Sequence, residues 1–174
     1  MKDIFLIRHG RQCSKLCNVD VSLDESGRKQ AELAGKRLIS YQLEKLYCSQ
    51  LIRAKETAEI IGRFVNLPVE EVADIEEIHF GGFTGKTDDR IRMEYAEFRK
   101  ERASHKEDLP YLEGGECGRD VVKRVMPKIK QICQREENRV AIVTHGGVIR
   151  SVCADILHTC LLYTSPSPRD TERS

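Results

Sequence analysis

Two short runs constrain this chain more than any other feature. Ile4-Phe5-Leu6-Ile7 and Val140-Ala141-Ile142-Val143 are each apolar without interruption. A strand with one wet face alternates between apolar and polar residues. A continuous apolar run of this length, bounded by turn residues, reads instead as a strand covered on both faces. Both runs end in the same way, with a histidine followed by glycine: Arg8-His9-Gly10 after the first, His145-Gly146-Gly147 after the second. Helical patterns alternate with short apolar stretches between them. The pattern predicts an α/β fold, a three-layer sandwich with a mostly parallel central sheet. Ligands of open sheets bind beyond the carboxyl ends of the strands, which is where both His-Gly turns fall.

The remaining elements follow from local signals. Ser22-Leu23-Asp24-Glu25 has the capping-box form and opens a helical pattern running to about Ser40. Leu43 to Cys48 reads as a short strand, after which Ser49 is expected to cap a helix. Leu51, Ala54, Ala58, Ile61 and Phe64 form that helix's apolar stripe. Leu67-Pro68-Val69 begins a third strand, and Ile78 to Gly85 is a glycine-punctuated loop. Residues 88–103 and 117–136 read as helices, the second interrupted or bent near Pro127. Arg139 to Thr144 is the second strong strand, and the helix after it ends near Leu157.

Composition narrows the function classes. The 174 residues carry 29 Lys plus Arg against 28 Asp plus Glu, a net charge of +1. A nucleic-acid partner is not expected, because such binders carry a basic excess. No apolar run approaches the roughly 20 residues of a membrane span, and none resembles a signal peptide. A cytoplasmic protein that does not engage membranes is therefore expected. The seven cysteines include no C-x-x-C pair, so neither a metal site nor a redox pair is predicted. After Leu157 the composition shifts. Cys160-Leu-Leu-Tyr-Thr-Ser-Pro-Ser-Pro-Arg-Asp170 matches the translation of a transposase-based sequencing adaptor over eleven consecutive residues. The expectation is a domain at 1–159, shortened at its carboxyl end, followed by a non-native, disordered tail at 160–174.

The chemistry lies in four pieces, each weak alone. An Arg-His-Gly turn, an arginine on a helix, an acidic stretch and a second His-Gly turn all have ordinary structural explanations. Together, and in this order, they are informative. Ile4-Phe5-Leu6-Ile7-Arg8-His9-Gly10, Ser49-Gln-Leu-Ile-Arg53-Ala54-Lys-Glu-Thr57-Ala58, Ile75-Glu76-Glu77-Ile78-His79-Phe80-Gly81 and Val143-Thr144-His145-Gly146-Gly147 resemble the motifs of the histidine phosphatase superfamily, the phosphoglycerate mutase-like group. The resemblance covers almost all of residues 1–159 and implies the phosphoglycerate mutase-like form of the three-layer fold.

The resemblance further implies that His9 is the nucleophile that accepts a phosphoryl group. Arg8, Arg53 and His145 would surround that group, with Gly146 and Asn18 also binding substrate, and Glu77 would be the general acid and base. These residue types suit the task. Phosphoryl transfer needs a placed nucleophile and positive charge around the equatorial oxygens, and arginine's planar fork bonds two oxygens at once. No metal or other cofactor is implied. The expected activity is a phosphomonoester hydrolase acting through a phosphohistidine on small phosphorylated metabolites, as a monomer or homodimer. Two alternatives stand beside it: a phosphoglycerate mutase and a catalytically silent phosphate-binding module. The short stretch between Glu77 and His145 favours a phosphatase, because mutases carry a longer insertion there.

The loop Arg11-Gln12-Cys13-Ser14-Lys15-Leu16-Cys17-Asn18 departs from the family pattern, being short and lacking an acidic residue. Asn18 or Ser14 is the candidate to help hold phosphate. Cys13 and Cys17 are either packing residues or thiols made reactive by a positive field. Lys86, Arg90, Arg92 and Arg99 either steer an anionic substrate or form a solvated face. His79, His105 and His158 are read as non-catalytic.

Overall fold

The computed structural model describes residues 2–104 and 108–158. The proposed tail, and His105, lie outside the described residues. Four strands, β1 (Asp3–Arg8), β2 (Lys45–Ser49), β3 (Val69–Val72) and β4 (Arg139–Thr144), form one parallel sheet in the order β1-β4-β2-β3. Six helices accompany it: α1 (Glu25–Leu38), α2 (Ile52–Val65), α3 (Asp88–Glu94), α4 (Ala96–Ser104), α5 (Gly118–Cys133) and α6 (Gly146–Ile156). Among the described residues no helix is long and apolar enough to cross a membrane.

The apolar runs are continuous because alternate residues serve different layers. Ile4, Leu6, Tyr47, Val140 and Ile142 pack with Val121, Val125 and Ile129 of α5 and Val148 and Val152 of α6. Phe5, Ile7, Leu46, Cys48, Ala141 and Val143 face the other way, toward α1 and α2 through Leu38, Ala54, Ala58 and Ile61. Pleating sends successive side chains to opposite faces, so a sheet sandwiched by helices needs an apolar residue at every position. Register brings the strand ends level: Arg8 lies opposite Thr144, Cys48 opposite Val143, and Ser49 opposite Val72. A smaller cluster of Phe83, Ile91 and Tyr95, with Phe80, Phe98 and Tyr111 against it, adjoins the first core, against which Phe80 and Tyr111 also pack.

Several local expectations are corrected. Helix α1 is capped by Asp24, whose carboxylate accepts from Gly27 N at 2.7 Å, and not by Ser22. Ser49 does not cap α2. The helix starts two residues later, with Leu51 at the N-cap position, and Asp20 accepts the Ile52 N–H at 2.8 Å. The helical stretch after residue 88 breaks at Tyr95 into α3 and α4. Helix α5 runs unbroken through Pro127, an apolar stripe against the sheet holding it where the ring removes one backbone bond.

Candidate active site

His9 follows β1 at the sheet's carboxyl edge, where its N–H donates to Thr144 O at 3.0 Å. Its ring is buried and fixed from two sides. Nδ1 lies 2.7 Å from Gly10 O, and a carbonyl can only accept. Nε2 lies 3.2 Å from Arg53 Nε, which can only donate. Both contacts require the same tautomer, with the proton on Nδ1 and the lone pair on Nε2.

Arg53 is buried on the first turn of α2 with only 1% of its surface exposed. Its Nη1 donates to Val19 O at 3.1 Å and its Nη2 to Asn18 Oδ1 at 2.8 Å. Asn18 has a left-handed backbone (φ 47°), which this residue type tolerates well. The other end of its amide donates to Ile78 O at 3.4 Å. Asn18 therefore links Arg53 to the segment carrying Glu77. Ser14, the other candidate in this loop, instead accepts from Leu16 N.

His145 stands at the amino end of α6, with its ring centroid 5.1 Å from that of His9. It is fully buried, and Nε2 lies 2.8 Å from Ser49 Oγ. Ser49 Oγ also accepts the Leu51 N–H at 3.4 Å, and with one hydrogen and two lone pairs it can either donate to His145 Nε2 or accept from it. His145 Nδ1 is buried without a hydrogen-bond partner among the described residues. Burial, followed by the positive neighbourhood of His9, Arg53, Arg124 and Arg8, pushes the imidazole far below its ordinary pKa and keeps it neutral.

Glu77 sits in an irregular segment beyond β3. Its Oε1 accepts from Ile78 N and from Gly147 N, both at 2.9 Å. With two donors on Oε1, a proton belongs on Oε2. Burial pushes this carboxyl's pKa up, against the two backbone N–H groups and the charges of Arg53 and Arg150. Gly147 is required here, since a Cβ would lie 2.4 Å from Glu77 Oε1. Arg8 is more exposed, lying against Gly146, where a Cβ would be 3.4 Å from its Nε.

Known proteins resemble this chain in sequence and in fold. A family profile described as "Histidine phosphatase superfamily (branch 1)" matches residues 4–165. The chain belongs to the histidine phosphatase superfamily. It is 32% identical over 158 residues to phosphoglycerate mutase-like protein 4 of Arabidopsis thaliana, covering 86% of this chain and 69% of that protein. It is also 32% identical to the metal-independent phosphoserine phosphatase of the same plant, covering 86% of this chain and 66% of the relative. Among solved structures, Bacillus stearothermophilus YhfR superposes with a TM-score of 0.81 at 32% identity, covering 94% of this chain and 84% of that one.

Within this histidine phosphatase fold, the structure brings Arg8, His9, Asn18, Arg53, Glu77, His145 and Gly146 to one edge. Two residues there were not singled out by sequence. Ser49 Oγ holds the His145 ring through its Nε2 at 2.8 Å. Thr57 Oγ1 accepts the Gly10 N–H at 3.0 Å and donates to Arg53 O at 2.7 Å. Thr57 stands four residues after Arg53 on α2, and that helical spacing was the available signal, whereas Ser49 ends β2 and no local spacing marks it.

Other candidates drop away. Cys17 packs against the third cluster, and burial, with Asp88 and Glu77 nearby, pushes its thiol up to about 11, opposite to an activated cysteine. Lys86 is tied to Gly82 O, to the Tyr95 hydroxyl and to Glu94, and Arg90 is paired with Glu94, so neither is a free steering charge. Among the described residues no group of three His, Cys, Asp or Glu is placed to hold a metal ion.

Proposed function

We propose that the chain is a phosphomonoester hydrolase that works through a phosphohistidine on His9, without metal assistance, on small phosphorylated metabolites. The observation that carries this reading is the tautomer of His9, fixed by Gly10 O on one nitrogen and Arg53 Nε on the other. A histidine nucleophile needs a lone pair on its attacking nitrogen and a proton on the other, which this tautomer supplies.

The steps balance with the groups present. His9 Nε2 attacks phosphorus and the bond to the ester oxygen breaks, while Glu77 Oε2 gives its proton to the departing alkoxide. The ionised Glu77 then takes a proton from water as that water attacks phosphorus. The N–P bond breaks, its electron pair returns to Nε2, and inorganic phosphate leaves. Arg8 and Arg53 bear the negative charge, assisted by His145, whose Nδ1 has no partner among the described residues, and by the amino end of α6 at Gly146. Asn18 acts on the phosphoryl group through Arg53.

The test is incubation with phosphoserine, 3-phosphoglycerate and a panel of other phosphomonoesters, with free phosphate and isomerised product both measured. Phosphate release that disappears in His9→Ala is expected, a loss of at least about 10⁴-fold for a missing nucleophile. Isomerisation without phosphate release would make the chain a mutase. A folded chain that does neither is a binding module.

A further inference from the structure

From Asp74 to Ile78 the backbone forms neither helix nor strand, yet each of five successive carbonyls accepts a hydrogen bond from a side chain. Arg124 Nη1 donates to Asp74 O at 3.0 Å, and Thr144 Oγ1 to Ile75 O at 2.7 Å. Arg124 Nη2 donates to Glu76 O at 2.9 Å and to Glu77 O at 3.1 Å. Asn18 completes the series at Ile78 O. Three of the five bonds therefore come from one guanidinium, projecting from α5. That guanidinium is itself anchored by Glu116, with Nε to Oε1 at 2.7 Å and Nη2 to Oε2 at 2.9 Å. Glu116 Oε2 also accepts the His79 N–H at 2.9 Å, closing the segment from its far side. Although burial pushes the Glu116 carboxyl up, the bonds from Arg124 and His79 hold it below its ordinary pKa.

We infer that Arg124 is a positioning residue for proton transfer: it fixes the Glu77 carboxylate by gripping the carbonyls of residues 74, 76 and 77, and so acts wherever Glu77 moves a proton and not on phosphoryl binding. The Glu77 carboxylate has little clearance, as the contact at Gly147 shows, so a small drift of the backbone misplaces Oε2. A misplacement of about 1 Å costs on the order of 10²-fold in rate. Lysine cannot substitute, because a single ammonium cannot reach acceptors spread over two segments. This inference rests on the phosphatase reading.

The experiment compares two esters in Arg124→Lys: phosphoserine, whose alkoxide needs a proton to leave, and p-nitrophenyl phosphate, whose phenolate does not. The expected result, read in kcat/KM because that reports transfer to His9 before Glu77 activates water, is a value about 10- to 100-fold lower on phosphoserine and under about 3-fold lower on p-nitrophenyl phosphate. In a Glu77→Gln background, Arg124→Lys should add nothing further, because the two residues serve the same proton transfers. Equal losses on both esters, or losses that multiply in the double variant, would overturn the proposal. If Arg124→Lys melts far below the parent, Glu116→Gln, which loosens the anchor but keeps the guanidinium, is read on the same esters, and it must show the same selectivity. Amide exchange across residues 74–79 should also rise at least about tenfold in either variant. Unchanged exchange refutes the positioning role even in a chain that turns over neither ester, whereas a parent silent on both esters counts against the phosphatase reading.

Discussion

The two halves of the site are built by different means. The half around His9 grows out of regular structure: β1 ends at Arg8, β4 ends just before His145, and α2 presents Arg53 from its first turn. Its hydrogen bonds run between side chains and element ends. The half around Glu77 has no such support, and its backbone is held by side chains from a distant loop, from β4 and from α5. The first half is as rigid as the sheet. The second is as rigid as a handful of side-chain bonds, so substitutions in the two halves should leave different kinetic signatures.

The largest effect is expected on the His9 side. Arg53→Lys removes the planar fork and should lower kcat by about 10²- to 10³-fold, equally on alkyl and p-nitrophenyl esters. A strong preference for one ester would erase the distinction between the halves. Next comes Gly147→Ala, whose methyl group would meet Glu77 Oε1 at 2.4 Å and Ile78 Cγ2 at 2.7 Å. We expect a loss in kcat/KM of about 10- to 100-fold confined to alkyl esters, together with about 1–3 kcal/mol of stability read by denaturant unfolding. The same half should respond to pH. Because the Glu77 pKa is raised, its protonated form persists above the usual carboxylate range, and alkyl ester hydrolysis should fall as pH rises through that raised value. The kcat/KM of p-nitrophenyl phosphate, which reports transfer to His9, should show no such limb.

Smaller effects concern stability. Thr57→Val leaves the buried Gly10 N–H without an acceptor and should cost about 1–3 kcal/mol, with no change in ester preference. His145 has a folded pKa depressed far below 6.5, so the stabilisation from keeping it neutral is complete above that value and is lost as pH falls below it. The loss should approach about 1.4 kcal/mol per pH unit, seen as a melting temperature that drops from pH 7 to 5. His145→Asn should flatten that slope, and an unchanged slope would locate the acid sensitivity elsewhere.

The same division explains what the sequence made legible. Residues at strand ends were readable, because Ile4 to Ile7 and Val140 to Val143 announce buried strands and His-Gly marks where each stops. Arg53 and Glu77 emerged only through their order relative to those turns and the family they resemble. Arg124 was invisible, since an arginine in an amphipathic helix looks like a solvated charge until the carbonyls opposite it are known. Ser49 was misread for a related reason. A serine before a helix normally caps it, and nothing local tells that this hydroxyl is used by His145, which lies far along the chain.

The strand order has a consequence for synthesis. β4 is the last strand described along the chain, yet it lies between β1 and β2, which have no pairing with each other. Until residues 139–144 leave the ribosome, β1 and its helix have no sheet to join, and β2 with β3 makes only a two-stranded fragment of marginal stability. At about 5–20 residues per second the first strand waits several seconds for its neighbour, with apolar faces uncovered. Folding of this chain is therefore decided late, by the arrival of one central strand, and that interval is when a chaperone would matter most.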